Sequence, residues 1–267
     1  MKEFHTNASY RVCFEVSGSG KAVVFLHGFM ESLSIWEKFK ETLSESYQII
    51  TVDLPGHGCT EQIATVHTME MMADSVKSVL DSLKISECVI IGHSMGGYVA
   101  LAFSKSFPVM VKGLGLFHST ASADTPEVKV NRDRMIKAVK QNKAGFIRQF
   151  MPSLFSEYNR MKFKKEIEWL TLMSVNMTKH SIIAAIEGMK LRTEKIDFLK
   201  TAKFRVLYIS GKNDTRIPPE IILQQASIPL FTEVHILEGV GHMGFIEAAS
   251  ETTGICLNFI NKCYLNN

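Results

Sequence analysis

The sequence lacks long hydrophobic runs and a strong excess of one charge. No apolar run approaches the roughly 18 residues that a membrane-spanning helix needs, so we expect no membrane association. The 267 residues carry 30 Lys and Arg against 27 Asp and Glu, a net charge of +3. This excess is too small to indicate nucleic-acid binding. Neither a membrane nor a nucleic acid is therefore an expected partner.

Paired cysteines and nucleotide-binding loops are also missing. The cysteines are scattered, odd in number and free of any C-x-x-C pair: Cys13, Cys59, Cys88, Cys256 and Cys263. This pattern argues against a disulfide framework or a zinc site and favours reduced thiols in a cytoplasmic protein. The first residues contain no apolar core of a signal peptide, in keeping with that location. Because neither a G-x-x-x-x-G-K-[ST] loop nor a G-x-G-x-x-G turn inside a strand–helix–strand unit occurs, we expect no cofactor. His93 and His118 have no metal-like spacing with another ligand, so we expect no metal.

Apolar runs alternate with helical patterns along most of the chain. Residues 9–16 alternate and predict a half-buried edge strand, and two weaker strands are predicted at Val111–Phe117 and Glu233–Leu237. Amphipathic stretches such as Ser34–Leu43 and Met69–Leu83 separate the runs. Continuous apolar runs predict fully buried strands at Ala22–Leu26, Gln48–Val52, Cys88–Ile91 and Arg205–Ile209. The chain should therefore form an α/β fold with a mostly parallel, doubly wound sheet.

Residues 119–200 break this alternation. They contain sixteen Lys and Arg against nine Asp and Glu, and no convincing strand. The helical stretches are roughly Glu127–Gln141, Ala144–Met151, Asn159–Val175 and Lys179–Lys190. We predict a basic helical cap inserted before the last two strands, with 1–118 and 201–267 forming the core. Such an insertion is typically placed over a site at the strand ends.

One serine lies at the junction of a buried strand and a helix. Gly92-His93-Ser94-Met95-Gly96 matches G-x-S-x-G, in which the glycines allow a tight turn that exposes the serine hydroxyl. The alternative is a glycine-rich turn with a capping serine, but the strand before it and the Ala/Val/Leu helix after it favour a nucleophile.

A serine nucleophile needs a base and an acid that orients the base. His242 follows the last predicted strand, and Asp214 follows the strand at Arg205–Ile209. Their order along the chain is the one expected for a nucleophile at the edge of an α/β sheet. We predict that Ser94, Asp214 and His242 are catalytic, with Asp124 as the alternative acid.

The reaction also needs hydrogen-bond donors for the developing oxyanion. Met95 follows the serine, and Phe29 lies in the loop His27-Gly28-Phe29-Met30 after an early strand. Their backbone N–H groups are the predicted oxyanion hole. Met30 and Met243 adjoin these elements and are candidates for an apolar pocket wall, although ordinary core packing explains them equally well.

The chain resembles the α/β-hydrolase superfamily. The resemblance rests on His27-Gly28-Phe29, Asp53-Leu54-Pro55-Gly56-His57-Gly58, the motif around Ser94, Asp214 and Gly241-His242. It implies that the insertion is the family's cap. The superfamily's dehalogenases and epoxide hydrolases carry aspartate at the nucleophile position, so serine argues against both.

Three functions fit this resemblance. The first is a carboxylesterase-like serine hydrolase that cleaves a small-molecule ester or thioester. The second is a C–C bond hydrolase, or a lyase like that of menaquinone synthesis, acting on an anionic substrate. Four arginines of the insertion are candidates for binding such an anion: Arg132, Arg134, Arg148 and Arg160. The third is a non-catalytic ligand-binding protein, since a fold alone does not determine function.

Overall fold

An eight-stranded sheet forms the centre of the computed structural model, which describes residues 2–7 and 10–265. In chain order the strands are β1 Lys2–Asn7, β2 Tyr10–Ser17, β3 Ala22–Leu26, β4 Gln48–Val52, β5 Cys88–His93, β6 Val111–Phe117, β7 Arg205–Gly211 and β8 Thr232–Leu237. Their order in the sheet is β1-β2-β4-β3-β5-β6-β7-β8. From β4 to β8 along the sheet all neighbours are parallel, and β1 and β2 are antiparallel.

Helices cover the sheet, and two of its central strands are buried along their whole length. Every residue of β3 and β5 is buried, as expected for strands with both faces covered. In the described part of the chain, the helices outside the β6–β7 connection are α1 Glu37–Leu43, α2 Met69–Ser82, α3 Met95–Ser106, α8 Pro219–Ala226, α9 Gly244–Glu247 and α10 Ala249–Leu265. Helix α2 packs against α3, and α1 packs against α10. The predicted α/β class with a mostly parallel sheet is confirmed.

The predicted edge strand at residues 9–16 was wrong in its position in the sheet. Ser9 lies outside the described residues, and β2 begins at Tyr10. β1 pairs along the outer side of β2 and takes the edge position itself. Its one large apolar side chain, Phe4, is 47% exposed, so β1 has no buried face that alternation could reveal. Backbone pairing, and not burial, forms this strand.

The connection between β6 and β7 is helical. It contains α4 Pro126–Phe150, α5 Lys164–Val175, α6 Lys179–Leu191 and α7 Ile196–Lys200. Two predicted helices are joined into α4 across a kink at Asn142, whose side chain accepts the Gly145 backbone N–H. Helix α5 begins later than predicted because residues Glu157–Asn159 form a separate 3-10 turn.

No helix in the described part of the chain combines the length and the apolar character that crossing a bilayer requires.

Candidate active site

Ser94 lies in a strained turn between β5 and α3. Its φ of 49° and ψ of −113° are unusual for a residue with a side chain, and such a conformation costs about 1–3 kcal/mol. The flanking glycines make the turn possible. A Cβ on Gly92 would lie 2.1 Å from the Gly96 carbonyl oxygen, and a Cβ on Gly96 would lie 2.4 Å from the Leu26 carbonyl oxygen. The Ser94 N–H donates to the Phe117 carbonyl at 2.8 Å and secures the turn.

The structure brings Ser94, Asp214 and His242 together beyond the carboxyl ends of β5, β7 and β8. Ser94 Oγ lies 2.9 Å from His242 Nε2, and His242 Nδ1 lies 2.8 Å from Asp214 Oδ2. The other Asp214 oxygen accepts backbone N–H groups of Arg216 and Ile217. Asp124, the alternative acid, instead contacts Arg132 and Arg192. This is the geometry that a serine nucleophile, its base and an orienting acid require.

Asp214 is ionised although it is buried. Burial alone would raise its pKa, but the charge of His242 and hydrogen bonds from His118 and His242 hold the pKa far below its ordinary value. A permanent carboxylate at this position keeps a proton on His242 Nδ1 and leaves Nε2 free to accept one from Ser94.

His118 was not predicted as part of this site. It directly follows β6 and has a φ of 48°, and its Nδ1 lies 3.0 Å from Asp214 Oδ2. Burial lowers the pKa of His118 to about 4, so the neutral ring donates Nδ1–H to the carboxylate. One ring nitrogen of His118, one ring nitrogen of His242 and a carboxylate oxygen of Asp214 lie within 4.8 Å of one another, close enough to bind a metal ion. However, the Asp214 oxygen already accepts a hydrogen bond from each imidazole.

A second buried pair, Glu31 and His93, connects the loop after β3 to His242. Glu31 Oε2 accepts the Gly28 N–H at 2.5 Å and lies 3.0 Å from His93 Nδ1, while His93 Nε2 lies 2.9 Å from the His242 carbonyl oxygen. Both ring nitrogens of His93 therefore face acceptors, which only the imidazolium satisfies. Burial opposes both charges, but each partner outweighs it: Glu31 raises the pKa of His93, and His93 lowers the pKa of Glu31.

Replacing Glu31 with glutamine should destabilise the fold in a pH-dependent way. Near pH 6 we expect a loss of about 3–5 kcal/mol in the free energy of unfolding, because a buried cation loses its carboxylate. The raised pKa of His93 means that the stabilisation is full below its unfolded value of about 6.5 and is lost as the pH rises through the folded value. Urea unfolding at about pH 6 and about pH 9 should therefore show a smaller difference between wild type and Glu31→Gln at the higher pH.

The exposed Glu37, which pairs with Lys40, provides the matched control. Glu37→Gln should change stability by less than about 1 kcal/mol at either pH. An equal loss for Glu31→Gln at both pH values would contradict the charged pair.

The two predicted oxyanion donors come from the start of α3 and from the loop after β3. Met95 is the first residue of α3, so its N–H has no acceptor within the helix. Phe29 lies in the loop after β3, which His27 braces by donating from Nδ1 to the Gly28 carbonyl and accepting the Leu54 N–H at Nε2. Within residues 2–7 and 10–265, neither the Phe29 nor the Met95 N–H meets a backbone or side-chain acceptor.

A cavity of about 250 Å³ lies over Ser94 and His242. Its wall includes Phe29, Glu31 and Tyr98 from the core and a row of α4 side chains: Val128, Asn131, Arg132, Met135 and Phe150. The predicted wall residues Met30 and Met243 are fully buried and are not part of this lining. Met135 and Met189 line it instead. Of the four candidate arginines only Arg132 lines the cavity, together with Arg216, which was not predicted.

The site therefore combines a hydroxyl, an imidazole and a carboxylate in hydrogen-bonded series at the ends of parallel strands. The family model of the alpha/beta hydrolase fold matches residues 21–249, and this chain belongs to that family.

Three comparisons show the range of its relatives. The chain is similar to a thermophilic esterase from Thermogutta terrifontis, solved with malate bound, at 28% identity, with 99% of each chain covered and a TM-score of 0.93. It is 24% identical over 276 residues to a 2-hydroxy-6-oxononadienedioate/2-hydroxy-6-oxononatrienedioate hydrolase of Paraburkholderia phymatum, covering 94% of this chain and 91% of that protein. It is also 31% identical over 128 residues to an uncharacterized protein of Mycobacterium tuberculosis. That match covers 48% of this chain and 37% of its relative, well under two thirds of the relative's length.

Proposed function

We propose that the protein is a serine hydrolase that cleaves a small carboxylic ester or thioester through an acyl-enzyme. The observation that carries the proposal is the hydrogen-bonded series Ser94, His242 and Asp214, with 2.9 Å and 2.8 Å between successive partners. The similarity to an esterase at 28% identity over nearly the whole chain supports it further.

In the proposed reaction, His242 Nε2 takes the Ser94 proton while Oγ attacks the carbonyl carbon. Asp214 holds the imidazole in the required tautomer and stabilises the imidazolium that forms. The backbone N–H groups of Phe29 and Met95 stabilise the oxyanion. His242 then protonates the leaving alcohol or thiol, and afterwards activates a water molecule that releases the acid.

We also propose that residues 119–200 act as a cap over a core of 1–118 and 201–267. Support comes from the cavity, whose wall combines Ser94 and His242 of the core with Arg132 and Met135 of α4 and Met189 of α6. Substrate selection would then depend mainly on cap side chains, because the core supplies the reacting groups.

A second candidate is a C–C bond hydrolase or a lyase that uses the same groups on an anionic substrate. The presence of Arg132 in the cavity wall favours it. So does the similarity to a hydrolase that is named for a dioate substrate.

Nitrophenyl esters from acetate to octanoate, with the matching acyl thioesters, test the proposal. We expect measurable turnover, greatest for short and medium acyl chains, because a cavity of about 250 Å³ limits the acyl group. Cleavage of vinylogous diketones without any ester or thioester turnover would favour the second candidate. A ligand-binding protein without catalysis would turn over neither class.

A further inference from the structure

We propose that the cavity binds a carboxylate group of the substrate between the guanidinium groups of Arg132 and Arg216. This inference rests on the proposed function and names its substrate class: an ester or thioester that carries a second, free carboxyl group.

Arg132 is oriented by one bond and has further donors to spare. It lies on α4, and its Nε donates to Asp124 Oδ2 at 2.9 Å. The Asp124 side chain is almost fully buried, so this contact fixes the guanidinium in the cavity wall. In the described part of the chain, no group accepts a hydrogen bond from either terminal nitrogen of Arg132. A planar guanidinium held in this way presents two parallel donors, which match a carboxylate.

Arg216 approaches the cavity from the core. It follows Asp214 by two residues, its Nη2 donates to Ser153 Oγ at 2.5 Å, and its guanidinium lies 4.8 Å from the centre of the Phe150 ring. These contacts place the charge beside the end of α4. Among the described residues, no Asp or Glu forms an ion pair with Arg216.

The charges around the cavity do not balance. Asp124 pairs with two arginines, because its Oδ2 accepts from Arg132 and its Oδ1 lies 2.6 Å from Arg192 Nη1. Glu31 also lines the cavity, but it is paired with His93. Among the described residues, Asp124 is therefore the ion-pair partner of both Arg132 and Arg192, and Arg216 has no ion-pair partner. Loss of solvation lowers the pKa of Arg216, the charge of Asp214 partly offsets this, and repulsion from Arg132 lowers the pKa further.

An anion between Arg132 and Arg216 would relieve this repulsion. A carboxylate supplies the missing charge and accepts from both groups, whereas a neutral acyl chain leaves the donors unpaired. Phe29, Met135 and Ile217 supply the apolar part of the wall. The preferred substrate therefore combines a short apolar chain with one terminal carboxylate.

Matched ester pairs test this inference. The nitrophenyl monoester of glutaric acid is compared with its neutral methyl glutarate counterpart, and 4-butyryloxybenzoate with its methyl ester, so that the free carboxylate lies on the acyl or the leaving side. We expect kcat/KM to be about 10- to 100-fold higher for the carboxylate member of at least one pair, as hydrogen bonds to charged groups typically provide. In Arg216→Met that ratio should fall to near one, mostly through KM.

Arg148→Met is the matched control, because Arg148 lies on the same helix, is exposed and is not part of the cavity lining. It should leave the ratio unchanged. Arg132→Gln tests the second guanidinium group, and circular dichroism and urea unfolding check that this variant folds. The Arg216→Met test does not depend on that check, because the Arg216 side chain is exposed. A wild-type ratio near one in both pairs, with both esters hydrolysed, would overturn the anion site and leave the proposed function intact.

Calorimetric binding of glutarate separates the two proposals further, because it does not depend on turnover. We expect glutarate to bind the wild-type protein and to bind Arg216→Met about tenfold or more weakly. If no ester or thioester is hydrolysed but glutarate binds in this way, the esterase proposal fails and the anion site stands. Absent or equal binding to both proteins would overturn the anion site.

Discussion

Ser94→Ala should reduce kcat/KM for any hydrolysed ester by about 10⁴- to 10⁶-fold, as removal of a triad nucleophile typically does. The alanine removes the oxygen that lies 2.9 Å from His242 Nε2 and leaves the backbone of the turn in place. Steady-state kinetics on a nitrophenyl ester, with the background rate subtracted, measures the loss. Urea unfolding of the same variant should show stability within about 1 kcal/mol of wild type, since only one partly buried hydroxyl is lost.

Ser104→Ala is the control for this variant. Ser104 lies on α3 as well, and its buried hydroxyl donates to the Ala100 carbonyl within the helix. Its removal should leave kcat/KM unchanged. An active Ser94→Ala enzyme would mean that another group attacks the carbonyl.

Asp214→Asn should lower kcat by about 10⁴-fold while the fold persists. Asparagine keeps an oxygen for the Arg216 and Ile217 N–H groups, but its amide can present N–H where His242 Nδ1 now meets Oδ2. The imidazole would then adopt the tautomer with a proton on Nε2, which cannot accept one from Ser94. Steady-state kinetics on the same ester measures the effect.

The double variant makes this assignment sharper. The effects of mutating groups that act as a unit are strongly non-additive. The kcat/KM of the double variant Ser94→Ala with Asp214→Asn should therefore be lower than that of Ser94→Ala by no more than about threefold. Additive losses would show that Asp214 acts independently of the serine. A fully active Asp214→Asn variant would mean that a different carboxylate is the acid.

The central strands of the sheet could be predicted because they are buried on both faces. β3 and β4 were predicted at their observed bounds, since runs such as Ala22–Leu26 contain no polar interruption. β1 could not be predicted, because its pairing with β2 depends on the backbone and its sequence, KEFHTN, carries no burial pattern. The Asn142 kink was similarly hidden, since a capping asparagine also suggests a helix boundary.

In the site, residues that belong to a local motif could be predicted and residues that act from a distance could not. The Ser94 turn and the strand-end positions of Asp214 and His242 have sequence signatures. Glu31 has none, because its role depends on a contact with His93, 62 residues away. Arg216 lies two residues after Asp214, but only the position of Ser153 and Phe150 shows that it faces the cavity.

The pocket methionines illustrate the same limit. Met30 and Met243 adjoin motif residues in sequence, yet both side chains point into the core and are fully buried. Met135 and Met189, which line the cavity, lie on α4 and α6 in a region without a motif. Sequence proximity to a motif therefore does not predict which methionines line the cavity.

Covalent labelling tests the central claim most directly. The protein would be treated with an aryl phosphonate that reacts with activated serines, and the adduct located by intact-mass and peptide mass spectrometry. We expect one adduct per chain, on Ser94, formed in step with the loss of esterase activity and absent from Ser94→Ala. An adduct on another residue, or full inactivation while Ser94 remains unmodified, would contradict the assignment of Ser94 as the nucleophile.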